Sequence, residues 1–353
     1  MKVLSLKCRN FRNLKDTEII PCDEMNVICG ENAQGKTNLL ESIWLFTGAK
    51  SFRTSKDNLF VQIGKEKASC ELKFVSEGIE KEALIEISEK RKASLNQNKL
   101  SSPSKLAGNF NAIIFSPNDL RLLTDGPAVR RKFLDTAIGQ IYPNYIEILK
   151  KYMRGVIQRN KIIKELKYDS TLSLMLDIFE EEIANNGTKI IEYRKNYINK
   201  LNKYLPQVYS GISQGKEKLE TFYIKKESEN LKEALLNSRK EDMFSGVTSI
   251  GPHRDDIEFK INGISAKNFG SQGQKRSVAL SVKLAEAEVI KENVGECPVF
   301  LLDDVMSELD PNRQDFILNH IKGMQTFLTC CDPSNLKNLK AGKIFTVKDG
   351  VVI

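Results

Sequence analysis

Gly30-Glu31-Asn32-Ala33-Gln34-Gly35-Lys36-Thr37 sets four residues between two glycines and closes on Lys-Thr, which is the spacing of a phosphate-binding loop. The flanks agree with that reading. Asn26-Val27-Ile28-Cys29 is a short apolar run of the kind that forms a buried strand. From Thr37 to Phe46, Leu39, Leu40, Ile43 and Trp44 recur at helical spacing. The loop therefore joins a strand to a helix N-terminus, where open backbone amides and the helix dipole favour an anion. Gly30 to Thr37, with Asn38 next in line, are expected to hold the phosphates of a nucleoside triphosphate. Lys36 supplies a full charge there, and Thr37 a hydroxyl for magnesium.

Composition bounds the rest. The chain has 353 residues, 41% hydrophobic and 28% charged, enough for a full core and for two lobes. No apolar run is long enough to cross a bilayer, and Met1 to Phe11 lacks the apolar core of a signal peptide, so a cytoplasmic protein without a membrane partner is expected. Seven cysteines form no C-x-x-C pair and there are only two histidines, which argues against a zinc site and for reduced thiols. The net charge of +8 is uneven: residues 121–210 hold 16 Lys+Arg against 10 Asp+Glu. Clustered basic charge suits a nucleic acid partner, and a solvated helical surface is the competing explanation.

Along the chain, Val3-Leu4-Ser5-Leu6 opens a strand, and two basic turns, around Arg12-Asn13 and Arg53-Thr54, are placed to reach the nucleotide or merely to cap turns. Residues 68–100 alternate in polarity and read as an antiparallel meander, with a turn at Asn96-Gln97-Asn98. Ala112 to Phe115 is another buried strand. Asp125-Gly126-Pro127 then starts a helix, and apolar periodicity to Gly211 predicts long antiparallel helices. Beside that stripe lie Arg130, Arg131, Lys150, Lys151, Arg154, Arg159, Lys161, Lys164 and Lys167, the candidates for phosphate contacts. Tyr142, Tyr145, Tyr152 and Tyr168 stand among them, most of them as core packing. Residues 213–245 read as a polar, mixed-charge stretch, and sheet-like sequence resumes with a hairpin at Asn262-Gly263.

Val299-Phe300-Leu301-Leu302-Asp303-Asp304 is a buried strand ending in two carboxylates. Asp303 is placed to face magnesium, and Asp304 to orient or polarise an attacking water. Ser271-Gln272-Gly273-Gln274-Lys275 ends 28 residues before Asp303 and opens a further helix. This stretch resembles the signature of the ABC-type ATPases, and Ser307-Glu308-Leu309-Asp310 resembles the loop after their metal-binding strand. The resemblance implies that Ser271, Gln272, Gly273 and Gln274 of one copy act in trans on the nucleotide of another, with Ser307 and Asp310 at the dimer loop.

The Arg9-to-Asn13 turn, the phosphate loop, Ser51-Phe52-Arg53-Thr54, Phe115-Ser116-Pro117-Asn118-Asp119-Leu120, Gly126-Pro127 with Arg130-Arg131, Gly251-Pro252-His253-Arg254-Asp255-Asp256 and Leu302-Asp303-Asp304 together resemble the RecF family of bacterial recombination-repair ATPases, relatives of the SMC proteins. That resemblance covers essentially the whole chain. It implies an α/β fold: an ABC/SMC-type P-loop ATPase head of mixed sheet and antiparallel meander (1–120 and 246–353), carrying an inserted all-α arm lobe (121–245). It further implies ATP and Mg2+ as cofactors, Lys36, Asp303 and Asp304 as catalytic residues, and ATP-dependent homodimerisation. The partners implied are DNA and RecO- and RecR-like repair proteins, in recombinational repair and replication-fork maintenance. Two departures stand out. Residues 116–119 occupy the place of the superfamily's glutamine loop without a glutamine, which makes Asn118 or Asp119 a guess for the metal. Asp304 and Thr329-Cys330 stand where many transporters carry a glutamate and a histidine, a departure consistent with slow hydrolysis. Beside this reading stand an ATPase subunit of a membrane transporter, which leaves the basic helices unexplained, and a P-loop kinase, in which Ser271 is only a helix cap.

Overall fold

The computed structural model describes residues 1–54, 56–166, 169–226, 230–331 and 342–353. Its centre is a six-stranded sheet built from β3 (Met25–Cys29), β8 (Ala112–Phe115), β12 (Val299–Leu302), β13 (Thr326–Cys330), β14 (Lys343–Lys348) and β15 (Val351–Val352). The order is β15-β14-β3-β13-β12-β8, parallel throughout except for β15, which closes a hairpin through Asp349-Gly350. Buried parallel strands read as continuous apolar runs because both faces are covered. Alternate side chains here divide between two cores. Ile28, Ile114, Leu301 and Phe327 enter one; Val27, Ile113, Phe300, Leu302 and Leu328 enter the other.

The first core is roofed by α1 (Lys36–Trp44) and by the expected antiparallel sheet. That sheet joins β1 (Lys2–Arg9), β2 (Thr17–Ile19), β4 (Ala68–Ser76), β5 (Ile79–Ile87), β6 (Arg91–Leu95) and β7 (Asn98–Lys99) in the order β2-β1-β4-β5-β6-β7. The second core is shared by α8 (Gln272–Val294) and the arm helices. After the one-turn α2 (Arg121–Thr124) come α3 (Pro127–Ile141), α4 (Pro143–Glu165) and α5 (Ser173–Ser213). At 1.5 Å per residue α5 is roughly 60 Å long. It runs antiparallel to α4: Tyr152 approaches Gly187, Gly155 approaches Ile183, and Arg159 pairs with Glu180.

The stretch 213–245 is more ordered than its polarity suggests. It contains β9 (Leu219–Ile224) and α6 (Leu231–Ser245), so the insert is helical apart from one strand. β9 pairs with β10 (Asp256–Ile261), which turns at Asn262-Gly263 into β11 (Ile264–Ser265). These hydrogen bonds cross the boundary expected near residue 245. The short α7 (Ala266–Phe269) leads into α8, and α9 (Pro311–His320) lies between β12 and β13 in the chain. Among the described residues no helix is long and apolar enough to cross a membrane.

Candidate functional site

Backbone geometry explains the two loop glycines. Gly30 has φ 153° and Gly35 φ 121°, a region that side chains other than hydrogen rarely enter. A Cβ on Gly30 would stand 2.3 Å from the Val347 carbonyl oxygen, and one on Gly35 would stand 2.9 Å from Asn13 Oδ1. Gly35 is also the N-cap of α1. It offers no side chain to the first-turn amides, so these remain open to an anion. Lys36 Nζ is folded back over the loop, donating to the carbonyls of Gly30 and, at 3.0 Å, Glu31. It lies 3.6 Å from Cys331 Sγ, whose thiol donates to Asn32 Oδ1 at 3.2 Å.

The two basic turns brace this loop. Asn13 donates from Nδ2 to the Ala33 carbonyl at 2.9 Å and accepts at Oδ1 from Asn38 Nδ2 at 2.6 Å, while Arg53 donates to Asn38 Oδ1. Arg12, a candidate for nucleotide contact, instead grips the buried Glu41 with both arms of its guanidinium and lies 5.0 Å from the Phe60 ring centre. A buried carboxylate needs such a partner. Ser51 also donates to Glu41, and its hydroxyl accepts from the amides of Arg53 (2.9 Å) and Thr54 (3.0 Å), which shapes the second turn.

β13 separates the loop strand from the carboxylate strand, yet the two ends meet across it. Thr37 Oγ1 donates to Asp303 Oδ1 at 2.8 Å. Thr329, at the end of β13, donates to the same oxygen at 3.1 Å, and its Oγ1 accepts from the Asp304 amide at 2.8 Å. One hydroxyl thus fixes both aspartates. Asp304 itself takes φ 53° and is exposed. Burial pushes the Asp303 carboxyl upward, against the hydrogen bonds from Thr37 and Thr329. A buried carboxylate touching a hydroxyl is a pair of hard oxygen donors that fits magnesium, with phosphate and water completing the shell. Asp119 does not join them. It accepts from the Ser116 amide at 2.7 Å in a capping box and lies 3.7 Å from Lys283, so the guess that it serves the metal is not supported by its contacts.

The signature stretch caps α8. Ser271 Oγ accepts from the Gln274 amide at 3.2 Å, Gln274 Oε1 accepts from the Ser271 amide at 2.8 Å, and Gln274 Nε2 donates to Glu217. Ser271 and Gln272 are exposed, and no hydrogen bond links residues 271–274 to the phosphate loop among the described residues. Asp310 caps α9 and accepts from Arg313 Nη1 at 2.7 Å, while Arg313 Nη2 reaches the Gly273 carbonyl at 3.5 Å. Arg313, which no motif flagged, therefore ties the loop carrying Ser307 and Asp310 to the start of α8. Ser307 donates to the Asp304 carbonyl at 3.0 Å.

Residues 2–351 match the model of the RecF/RecN/SMC N-terminal domain. A Clostridium acetobutylicum protein described as DNA replication and repair protein RecF is 41% identical over 338 residues, spanning 94% of this chain and 93% of its own. The chain belongs to the RecF family. A RecF from Clostridium perfringens is 38% identical over 360 residues, 99% of each chain. A solved structure of the recombination mediator protein RecF with ATP, in the RecFOR pathway, matches with a TM-score of 0.92 at 38% identity, covering 99% of this chain and 96% of that one. The expected ATPase head with its helical arm is thus the RecF fold.

In this RecF-family chain two of the candidate phosphate contacts are spent internally. Arg159 is fully buried and pairs with Glu180 and Asp242; Arg130 is buried and pairs with Asp256. Neither can meet a polyanion, and their apolar surroundings explain why the helical pattern placed them beside the stripe. Arg131 donates to the Asp255 carbonyl at 2.8 Å, and Lys150 to Ser104 and Glu147. Lys151, Arg154, Lys161 and Lys164 are exposed. Lys167 and Tyr168 lie outside the described residues. Tyr145 and Tyr152 are buried. His253 is structural: Nε2 donates to the Thr248 carbonyl (3.0 Å), Nδ1 accepts from Tyr152 (2.6 Å), and burial depresses its pKa to about 4.

Proposed function

We propose that this chain is an ATP-dependent DNA-binding ATPase of recombinational repair and replication-fork maintenance. It acts in the cytoplasm, pairs with a second copy when ATP is bound, clamps DNA, and helps load recombinase at gaps with RecO- and RecR-like partners. The observation that carries the reading is the 2.8 Å contact of Thr37 with Asp303 in the same chain that leaves Ser271 and Gln272 exposed at the start of α8. One copy then holds a phosphate and metal cradle and, among its described residues, no second set of donors for the terminal phosphate. A second copy has those donors to offer. The ATP-bound RecF relative and its placement in the RecFOR pathway support the cofactor and the partners.

In the proposed cycle Lys36 leaves the Gly30 and Glu31 carbonyls for the β- and γ-phosphates, which the first-turn amides of α1 also bind. Thr37 Oγ1 and Asp303 would hold magnesium, whose chemistry is to neutralise phosphate charge. Asp304, fixed by Thr329, orients the attacking water. Phosphoryl transfer depends mainly on such positioning, so loose placement of one group is enough to make turnover slow. The amide-rich start of α8 in the second copy adds positive partial charge at the terminal phosphate.

Sedimentation of the native protein with and without ATP tests this. Native protein is expected to shift from monomer to dimer on ATP, and Lys36→Ala to stay monomeric because it loses the nucleotide. Native protein that remains monomeric with saturating ATP and DNA would contradict the proposal.

A further inference from the structure

Two adjoining cavities lie between the end of the phosphate-loop helix and the arm. The larger, 530 Å³, has Lys50, Arg131, Lys132 and Lys150 on its walls and Leu149 and Met153 among its apolar lining. The smaller, 340 Å³, shares Lys50 and Lys132 and adds Trp44, Phe52, Phe133 and Arg121. The shared lysines make the two one trough.

Most of its cations have carboxylate partners: Arg121 pairs with Asp125, Lys150 with Glu147, and Lys283 with the lining Asp119 and Glu286, while Lys50, Lys132 and Arg131 have none among the described residues. Among the described residues Lys50 has no ion pair, and Lys132 has one hydrogen bond, to the Ser51 carbonyl at 3.4 Å. Arg131 spends its guanidinium on a backbone carbonyl. Asp135, the carboxylate of the larger cavity, is already held by Arg194 at 2.8 Å and accepts from Tyr145. The crowding shows in the titrations. Burial, then Lys50 and Arg121, lowers the Lys132 ammonium; burial, then Arg194, lowers Arg131. Lys50 and Lys132, like charges close together with no carboxylate partner among the described residues, are relieved by an anion.

The walls say which anion. Trp44 and Phe52 meet edge to face at 6.4 Å, and Phe52 is only partly buried. Aromatic faces beside a line of cations suit a chain of alternating bases and phosphates. The volume falls within the roughly 300–1,000 Å³ of a site that encloses a drug-sized molecule, which is room for a nucleotide or two and not for a double helix, whose bases are stacked inside. We propose that this trough seats a short stretch of single-stranded DNA, phosphates on Lys50, Lys132 and Arg131, a base against Phe52. The proposal rests on the reading of the chain as a DNA-binding ATPase. It also places the strand at the far end of the helix whose first turn binds the nucleotide, with Arg53 bonded to Asn38 of that helix.

Trp44 is the chain's single tryptophan, so the trough carries its own probe. The experiment titrates full-length protein, at saturating non-hydrolysable ATP, with an oligothymidylate and follows tryptophan emission across a range of salt. Native protein is expected to bind with a change in emission. The Lys50→Ala/Lys132→Ala variant should bind at least tenfold more weakly, with a salt slope lower by about 1.4, or 0.7 for each lost contact. Lys50→Arg/Lys132→Arg should retain binding. Lys73→Ala/Lys92→Ala on the exposed face of the antiparallel sheet should bind within threefold of native, and a duplex of equal length should not produce the emission change. Equal binding by native and Lys50→Ala/Lys132→Ala protein, loss confined to a Lys161→Ala/Lys164→Ala arm variant, or the same emission change with duplex would overturn the seat alone. Failure of native protein to bind any DNA under ATP would overturn the DNA-binding reading and the seat with it.

Discussion

Thr37 and Asp303 stand 266 residues apart in the chain and meet at 2.8 Å, hydroxyl to carboxylate. The contact forms across β13, because the carboxylate strand is not the immediate neighbour of the loop strand. It sets a buried acid against the hydroxyl that closes the phosphate loop.

Asp303 should therefore cost stability when no nucleotide is bound. Its folded-state pKa lies above the usual carboxylate value of 3.8. Such a group contributes its stability in full below that value and loses it as pH rises through the folded-state pKa. Asp303→Asn, which keeps an acceptor for Thr37 and Thr329, is expected to raise the Tm of the nucleotide-free protein at pH 7 by about 2 °C, on the order of 1 kcal/mol, and to flatten the decline above pH 3.8. The same change should abolish hydrolysis. Calorimetry showing a lower Tm without nucleotide would count against this account.

Thr329 should act on turnover and not on nucleotide affinity. It touches both aspartates through one oxygen. Thr329→Val is expected to lower kcat about tenfold, the equivalent of ~1.4 kcal/mol, with ATP affinity within twofold, and Thr329→Ser to restore it. Parallel loss of affinity and turnover would mean that Thr329 serves only packing.

Cys331 should report on the phosphate loop. Its exposed sulfur is 3.6 Å from Lys36 Nζ, and alkylation there would obstruct the lysine's path to phosphate. Mass-mapped alkylation is expected at Cys331 ahead of the core thiols Cys8 and Cys70, with ATP protecting it and the modified protein binding ATP at least tenfold more weakly. Cys331→Ser should be indifferent to the reagent. Full ATP affinity after stoichiometric alkylation of Cys331 would show that the contact has no consequence.

Arg159→Ala should unfold the arm instead of weakening DNA contacts. Removing one partner of a buried ion network costs about 3–5 kcal/mol, and here it would leave the buried Asp242 without its cation, while Glu180 keeps Arg239. The exposed Lys161→Ala should stay within about 0.5 kcal/mol of native. Denaturant titration checks both values.

The phosphate loop, the β12 carboxylates and most strands were legible because each is a local pattern. Gly30 and Gly35 mark their own backbone, and Val299 to Leu302 is a short, fully buried run. Partnerships were not legible. Arg159 and Lys161 look alike in sequence, and only the packing of α4 on α5 and α6 puts one in the core and the other in water. Thr329 drew notice only as a missing histidine, because its role depends on β13 lying between β3 and β12. Arg313 had no motif at all. β9 was hidden by the charged residues around its alternating Leu219, Thr221 and Tyr223.

The central claim is that the catalytic unit is shared between two copies, and mixing two inactive variants measures it directly. Lys36→Ala lacks a competent phosphate loop, and Ser271→Arg lacks a competent signature. Each alone is expected to be inactive in ATP hydrolysis. Mixed, they can form one site from the intact loop of the Ser271→Arg copy and the intact signature of the Lys36→Ala copy. The account predicts that the mixture hydrolyses ATP well above the sum of the two variants measured separately. A mixture that equals that sum, with heterodimers present, would contradict it.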